Sequence, residues 1–188
     1  MKKFAIMLAL LIVAVPMFGQ APSQWSVGVG VEGGLPTGDF NNASNFGIGG
    51  LAFAGYNGID PSFQLTLTSG YVRFSGKDLP DGSSASMGVI PILVGGKYYF
   101  MPGDTRVYGQ VDVGLYLLNT SVSTTILGQS VSGSESTSKF GVAPVLGAQF
   151  KAGDKMWVDA HVNYTDIMTD NSSTSYIGFG IGLVFDLQ

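Results

Sequence analysis

Residues 107–117 read Val-Tyr-Gly-Gln-Val-Asp-Val-Gly-Leu-Tyr-Leu. Val107, Val111, Val113, Leu115 and Leu117 share one parity, and Tyr108, Gln110, Asp112, Gly114 and Tyr116 share the other. An extended strand sends successive side chains to opposite faces, so this stretch makes a strand with one apolar and one small or polar face. The same period recurs in both directions from it. Trp25, Val27, Val29 and Val31 oppose Ser26, Gly28, Gly30 and Glu32, while Phe63, Leu65 and Leu67 oppose Gln64, Thr66 and Thr68. Val158, Ala160, Val162 and Tyr164 oppose Asp159, His161, Asn163 and Thr165, and Ile177 to Phe185 alternate with Gly178, Gly180 and Gly182.

Eight such runs are expected, near 24–35, 46–57, 62–75, 86–100, 105–120, 137–150, 155–166 and 174–187. Tight connections rich in Gly, Pro and Asp fall near 57–61, 101–104 and 151–155, and longer ones near 36–45, 76–85, 121–136 and 167–173. Short turns at one end, long loops at the other and an even strand number predict an all-β, eight-stranded antiparallel up-and-down transmembrane barrel, its short turns periplasmic and its long loops extracellular.

Composition agrees with a membrane setting. Charged residues make up 12% of the 188, about half the usual quarter, and 28 are Gly. Hydrophobic content of 45% with a net charge of −4 argues against intrinsic disorder. The absence of Cys excludes a disulfide scaffold and a cysteine nucleophile. A pI near 4.7 without a basic cluster argues against nucleic acid as a partner. At the N-terminus Lys2 and Lys3 precede an uncharged run ending in Gly19, Gln20 and Ala21. That is the form of a secretory signal over residues 1–20, cleaved after Gly19 or Gln20, with residues 21–188 forming a single barrel.

Charge placement decides which face is wet. Glu32, Asp112, Asp159 and Asp186 lie on the polar parity, whereas Asp39, Lys77, Asp78, Asp81, Glu135, Asp154 and Asp170 fall in connections. A midplane Lys or Arg turned to lipid costs ~2–4 kcal/mol, and none is found there; Arg73 shares the face of Tyr71 but sits at a strand end, where its head can reach water. The polar parity therefore faces a narrow lumen. Aromatics gather toward strand ends as two girdles. Trp25, Tyr56, Phe63, Tyr98, Tyr99, Phe100, Phe150, Trp157 and Phe185 fall at the short-turn end; Phe46, Tyr71, Phe74, Phe140, Tyr164 and Tyr176 fall at the other. Two strands are irregular. Phe46 and Ile48 differ in parity from Leu51 and Phe53, which places a bulge at Gly49–Gly50. In 86–100 both parities are apolar, and turning Ile90, Ile92 and Val94 to lipid leaves Lys97 in the lumen.

Three segments carry a resemblance: WSVGVGVEGGLPTGDF at 25–40, VIPILVGGKYYF at 89–100 and YIGFGIGLVFDLQ at 176–188. Together the chain resembles the small OmpA/OmpX-type outer-membrane β-barrels of Gram-negative bacteria, also labelled outer membrane protein beta-barrel domain or porin-family proteins. The resemblance implies insertion by the barrel-assembly machinery, with Gly182, Phe185 and Leu187 as its C-terminal signal, although the chain ends Leu-Gln rather than on an aromatic. Larger relatives append a peptidoglycan-binding domain, and none is expected here. Some such barrels modify lipid A, one through a His-x-Ser pair on the outer wall. Here His161-Val162-Asn163 lacks the serine, and parity turns His161 to the lumen beside Asp159.

Other motifs reduce to architecture. Gly28, Gly30 and Gly33 spell GxGxxG, but no helix follows to hold a pyrophosphate. One His leaves no plausible metal-ligand set. Glu32, Lys97, Asp112, Asp159 and His161 are expected to form a lumen network filling a barrel of this size. No catalytic, cofactor or metal site is expected. The segment 121–136 still alternates at Val122, Thr124 and Ile126, so a protruding hairpin offering strand edges competes with a low-complexity surface loop, which its Ser-rich composition favours. The expected function is a structural, envelope-integrity or surface-interaction role. Its partners would be outer-membrane lipid, lipopolysaccharide and a surface ligand at 121–136; the alternatives are a lipid A-modifying enzyme or a small channel.

Overall fold

The computed structural model describes residues 24–80, 82–101, 103–126, 129–169 and 173–187. The signal segment, its cleavage point, Asp81 and Asp170 lie outside the described residues. Eight strands follow one another in chain order: β1 (Trp25–Thr37), β2 (Ser44–Asp60), β3 (Phe63–Gly76), β4 (Ser83–Tyr99), β5 (Thr105–Ile126), β6 (Gln129–Lys151), β7 (Met156–Met168) and β8 (Ser173–Leu187). Each pairs antiparallel with its neighbours, and β8 pairs back onto β1, closing the barrel.

Closure satisfies the ladder hydrogen bonds that an open sheet edge would leave bare in hydrocarbon. The inside-out arrangement is observed. Val29, Val113 and Ile181 are 60, 37 and 56% exposed on the outer wall, whereas Asp112 and Glu32 are 4 and 2% exposed inside. On β5 the outward apolar positions run from Val107 to Leu117. At ~3.3 Å per residue and a tilt of ~40°, that run stands about 25 Å tall, the height of a barrel's hydrocarbon band.

Three expectations are corrected. β2 keeps one register with β1 and β3 through Gly49 and Gly50, so no bulge lies there; the irregularities of β2 fall between Ser44 and Gly47 and between Tyr56 and Asp60. Parity is unbroken because Leu51 and Phe53 point into the lumen, which holds more apolar side chains than a polar face suggests. Residues 121–126 and 129–136 are strand rather than loop: β5 and β6 pair in one register from Thr105↔Phe150 to Ile126↔Gln129, placing Glu135 in β6. Ser, Thr and Val at alternate positions suit a ladder better than their low complexity suggests. Finally, Tyr99, Trp157, Phe74 and Tyr176 are not girdle residues. Their parity turns them inward, with Trp157 at 4% and Phe74 at 0% exposure. The orientation of β4 holds as expected, with Ile92 and Val94 outside and Lys97 buried inside.

At the loop end a four-residue helix, α1 (Phe40–Ala43), interrupts the expected 36–45 loop. It drops Phe40 into the barrel mouth against Phe74, ring centroids 5.0 Å apart.

Candidate functional site: a layered lumen

The inward positions stack in layers from the short-turn end to the loop end. In the first, Gln64 Nε2 donates to Ser26 Oγ at 2.9 Å and to Asn57 Oδ1 at 2.7 Å. Tyr99 OH lies 3.3 Å from Oε1 of both Gln64 and Gln149 and can donate its one hydrogen to either. Arg106 stacks on the Trp157 indole, 3.6 Å from its centroid, while the indole Nε1 donates to Asp186 at 2.9 Å. A planar guanidinium on an aromatic face screens its charge and closes the floor.

The second zone holds the charges. His161 Nδ1 lies 2.7 Å from Asp159 Oδ1, and its Nε2 lies 3.3 Å from Glu32 Oε2. Asp159 also accepts from Tyr108 OH at 3.0 Å and from Gln149 Nε2 at 3.0 Å. Glu32 accepts from Asn163 Nδ2 at 2.8 Å, and Thr165 donates to Asn163 Oδ1 at 3.1 Å. Asp112 stands apart, accepting two bonds from Gln110 at 2.8 Å and one from Thr66 at 3.2 Å. The Lys97 ammonium lies between the Phe53 and Tyr108 rings, 4.6 and 4.3 Å from their centroids. Thus Glu32, Asp159 and His161 form one hydrogen-bonded network, while Lys97 and Asp112 line the same space, Lys97 reaching the network through the Tyr108 ring. A continuous column links Asn57, Gln64, Tyr99, Gln149, Asp159, His161, Glu32 and Asn163.

Above it the lumen turns apolar. Val72, Phe74, Val89, Leu93, Tyr116 and Ile167, all under 5% exposed, pack with Phe40, Leu118 and Tyr176 into a plug beneath the loops. Between column and plug lies a cavity of about 80 Å³, lined by Glu32, Lys97, Asp112, His161 and Tyr116. Space for these side chains comes from glycine on the neighbouring strand. A Cβ at Gly180 would collide with the His161 ring, and one at Gly147 with Tyr108.

Chemically, this arrangement neutralises buried charge. A His held between two carboxylates can move a proton, but the site lies inside the barrel beneath an apolar plug. Among the described residues no three His, Asp or Glu side chains are grouped to hold a metal. Sequence reasoning missed Tyr99, Trp157, Phe74 and Tyr176 as lumen residues. Their signal was present: Trp157 shares its parity with Asp159, and Tyr99 with Lys97.

The chain matches the family described as outer membrane protein beta-barrel domain over residues 5–185. It belongs to that family. Its barrel is similar to Neisserial surface protein A, with a TM-score of 0.57 at 15% identity over 89% of this chain and 100% of that one. It is similar to Ail of Yersinia pestis, with a TM-score of 0.57 at 17% identity over 88 and 100%. It is also similar to OprG of Pseudomonas aeruginosa, with a TM-score of 0.59 at 15% identity over 89 and 97%. No curated protein sequence is significantly similar to it. Family, fold and outer wall together make this an outer-membrane β-barrel protein set in lipid.

Proposed function

We propose that this outer-membrane β-barrel is a non-conducting, non-enzymatic envelope protein that carries the β5–β6 hairpin outward as a contact surface. The observation that supports this most is the lumen, lined from floor to plug by the chain's own side chains around a cavity of about 80 Å³. A pore needs a continuous water path, and here a hydrogen-bonded floor and an apolar plug stand in series. For the enzymatic alternative, lipid A chemistry would have to occur on the outer wall. His161, the chain's single histidine, is instead engaged inside with Asp159 and Glu32. Residues 1–20 serve as the export signal, removed before the barrel-assembly machinery inserts the chain with its short turns periplasmic.

The Ail barrel of Yersinia pestis has been solved in complex with the heparin analogue sucrose octasulfate, so a barrel of this fold can hold a ligand. Planar-bilayer recording of the purified protein tests the reading directly, and the expected result is a silent bilayer. Steady, reproducible conductance steps would overturn it. Lipid A mass profiles with and without the gene are expected to coincide, and an altered acyl pattern would favour the enzyme.

A further inference from the structure

Among the described residues, nine buried side chains make up the plug beneath the loops, and eight of them stand on barrel strands. Each of those eight has a ladder partner on both sides, so none can leave without opening the wall. The ninth is Phe40, which comes from α1 and has no ladder partner. From Gly38 to Ala43 it is the one buried residue; its neighbours face water. The hydrogen bonds of the segment are those of a single turn. Asn41 N–H donates to Gly38 O at 3.2 Å and Asn42 N–H to Asp39 O at 3.1 Å, while the Asp39 side chain makes no capping bond. Lys77 ties the far end to β3, its N–H donating to Ala43 O at 3.0 Å and its exposed Nζ to Asn41 O at 3.4 Å.

Both flanks of this turn are built to bend. Gly38 sits at φ +57°, and a Cβ there would meet nothing within 4 Å, so glycine serves backbone freedom rather than space. On the other flank the β1–β2 ladder stops at Gly34↔Gly47, and the β2–β3 pairing shifts register between Ser44 and Gly47. Ordering such a segment costs backbone entropy that exposed side chains do not offset. What holds it down is the Phe40 ring, 5.0 Å from that of Phe74, which lies 5.2 Å from that of Tyr176. Segments with few buried contacts are the ones that open locally while the rest of a fold stays shut. We propose that α1 is a lid on the barrel mouth, latched by Phe40 and hinged at Gly38 and at the Ser44–Gly47 shift. Shut, it completes the apolar seal; open, it bares the Phe74 ring without disturbing the strand-borne plug. The lid stands independently of any role for the β5–β6 hairpin.

The chain has no Cys, so two engineered thiols report without background. Nitroxides go on N42C, exposed on α1, and on S138C, exposed on β6, with the barrel in nanodiscs. Double electron–electron resonance is expected to show one dominant distance in the otherwise unaltered chain. F40A should shift the balance at least about tenfold toward a second, broader distance, because burial of a phenylalanine ring accounts for an order of magnitude or more. F40L, which keeps an apolar latch, should stay close to the parent. G38A, whose side chain disfavours a positive φ, should raise the open share severalfold with Phe40 still in place. In that variant solvent relaxation enhancement from a soluble gadolinium chelate should reach the Phe74 ring more strongly than in the parent. Heat-modifiable mobility shows that each variant remains a folded barrel. A parental distance in F40A overturns the latch, and a Phe74 ring as sheltered in G38A as in the parent overturns the hinge.

Discussion

His161 stands between two buried carboxylates, Asp159 at 2.7 Å and Glu32 at 3.3 Å. Removing it strands both acids, and an uncompensated buried charge is costlier than a missing contact. His161→Leu is expected to lower stability by about 3 kcal/mol, measured by urea unfolding in lipid vesicles with gel mobility as the readout. His161→Gln, which can still donate to one carboxylate, should cost roughly half of that. A loss below ~1 kcal/mol for the leucine variant would show that the carboxylates need no side-chain partner. Lys97 poses a different case, because its ammonium rests on the Phe53 and Tyr108 rings rather than on a carboxylate. Its lumen position was legible from parity and from the cost of the alternative. Of its ring partners, Tyr108 was legible in the same way, since it shares the parity of Asp112, but Phe53 was not, because it is apolar and nothing in its strand's pattern argued for turning it inward.

Strand closure depends on a pair of glycines. Gly30 of β1 lies opposite Gly182 of β8, and a Cβ on Gly182 would meet Val29 O at 2.6 Å. The obstruction is backbone, which cannot swing aside as a side chain can. Gly182→Val is therefore expected to abolish the heat-modifiable folded band in refolding assays, whereas Ile181→Val, turned outward, should leave it unchanged. The β5–β6 extension is the opposite kind of element. It pairs within its own ribbon, and no plug residue comes from beyond Leu118 on β5. Replacing 121–134 with a two-residue Asn-Gly turn should leave folded yield and gel shift intact; a collapse in yield would mean the hairpin helps the barrel form. Strand positions were readable because period two is local. The hairpin was harder to read, since a Ser-rich ladder and a Ser-rich loop have the same composition and differ only in cross-strand pairing. The same limit produced the misplaced bulge at Gly49–Gly50. Two apolar residues of opposite parity signal a bulge only if the lumen is polar throughout, and in this barrel Leu51 packs against the plug while Phe53 lies beside Lys97.

Across the whole molecule, two closures act in series: the floor of Gln64, Tyr99, Gln149 and Trp157, and the plug around Phe74, Tyr116 and Tyr176. Opening one leaves the other. Phe74→Ala with Tyr176→Ala is thus expected to stay silent in planar bilayers, although aromatic truncations in packed surroundings cost ~3–5 kcal/mol each and will lower stability. Conductance in that double variant would show that the floor is permeable. The plug was the part of the lumen least visible in sequence. Aromatics near strand ends suit an interfacial girdle and a barrel cap equally, and only parity, applied residue by residue, separates them. The lining of β8 has one more consequence. At 178, 180 and 182 it offers the interior nothing but hydrogen, and the His161 imidazole and the Asn163 amide lie across that bare strip. A cylinder built stave by stave needs its last piece to slide in beside neighbours already in place. Over that middle stretch β8 can close on β1 without displacing the side chains of β7, while Tyr176 and Asp186 at its two ends tie it into the plug and the floor.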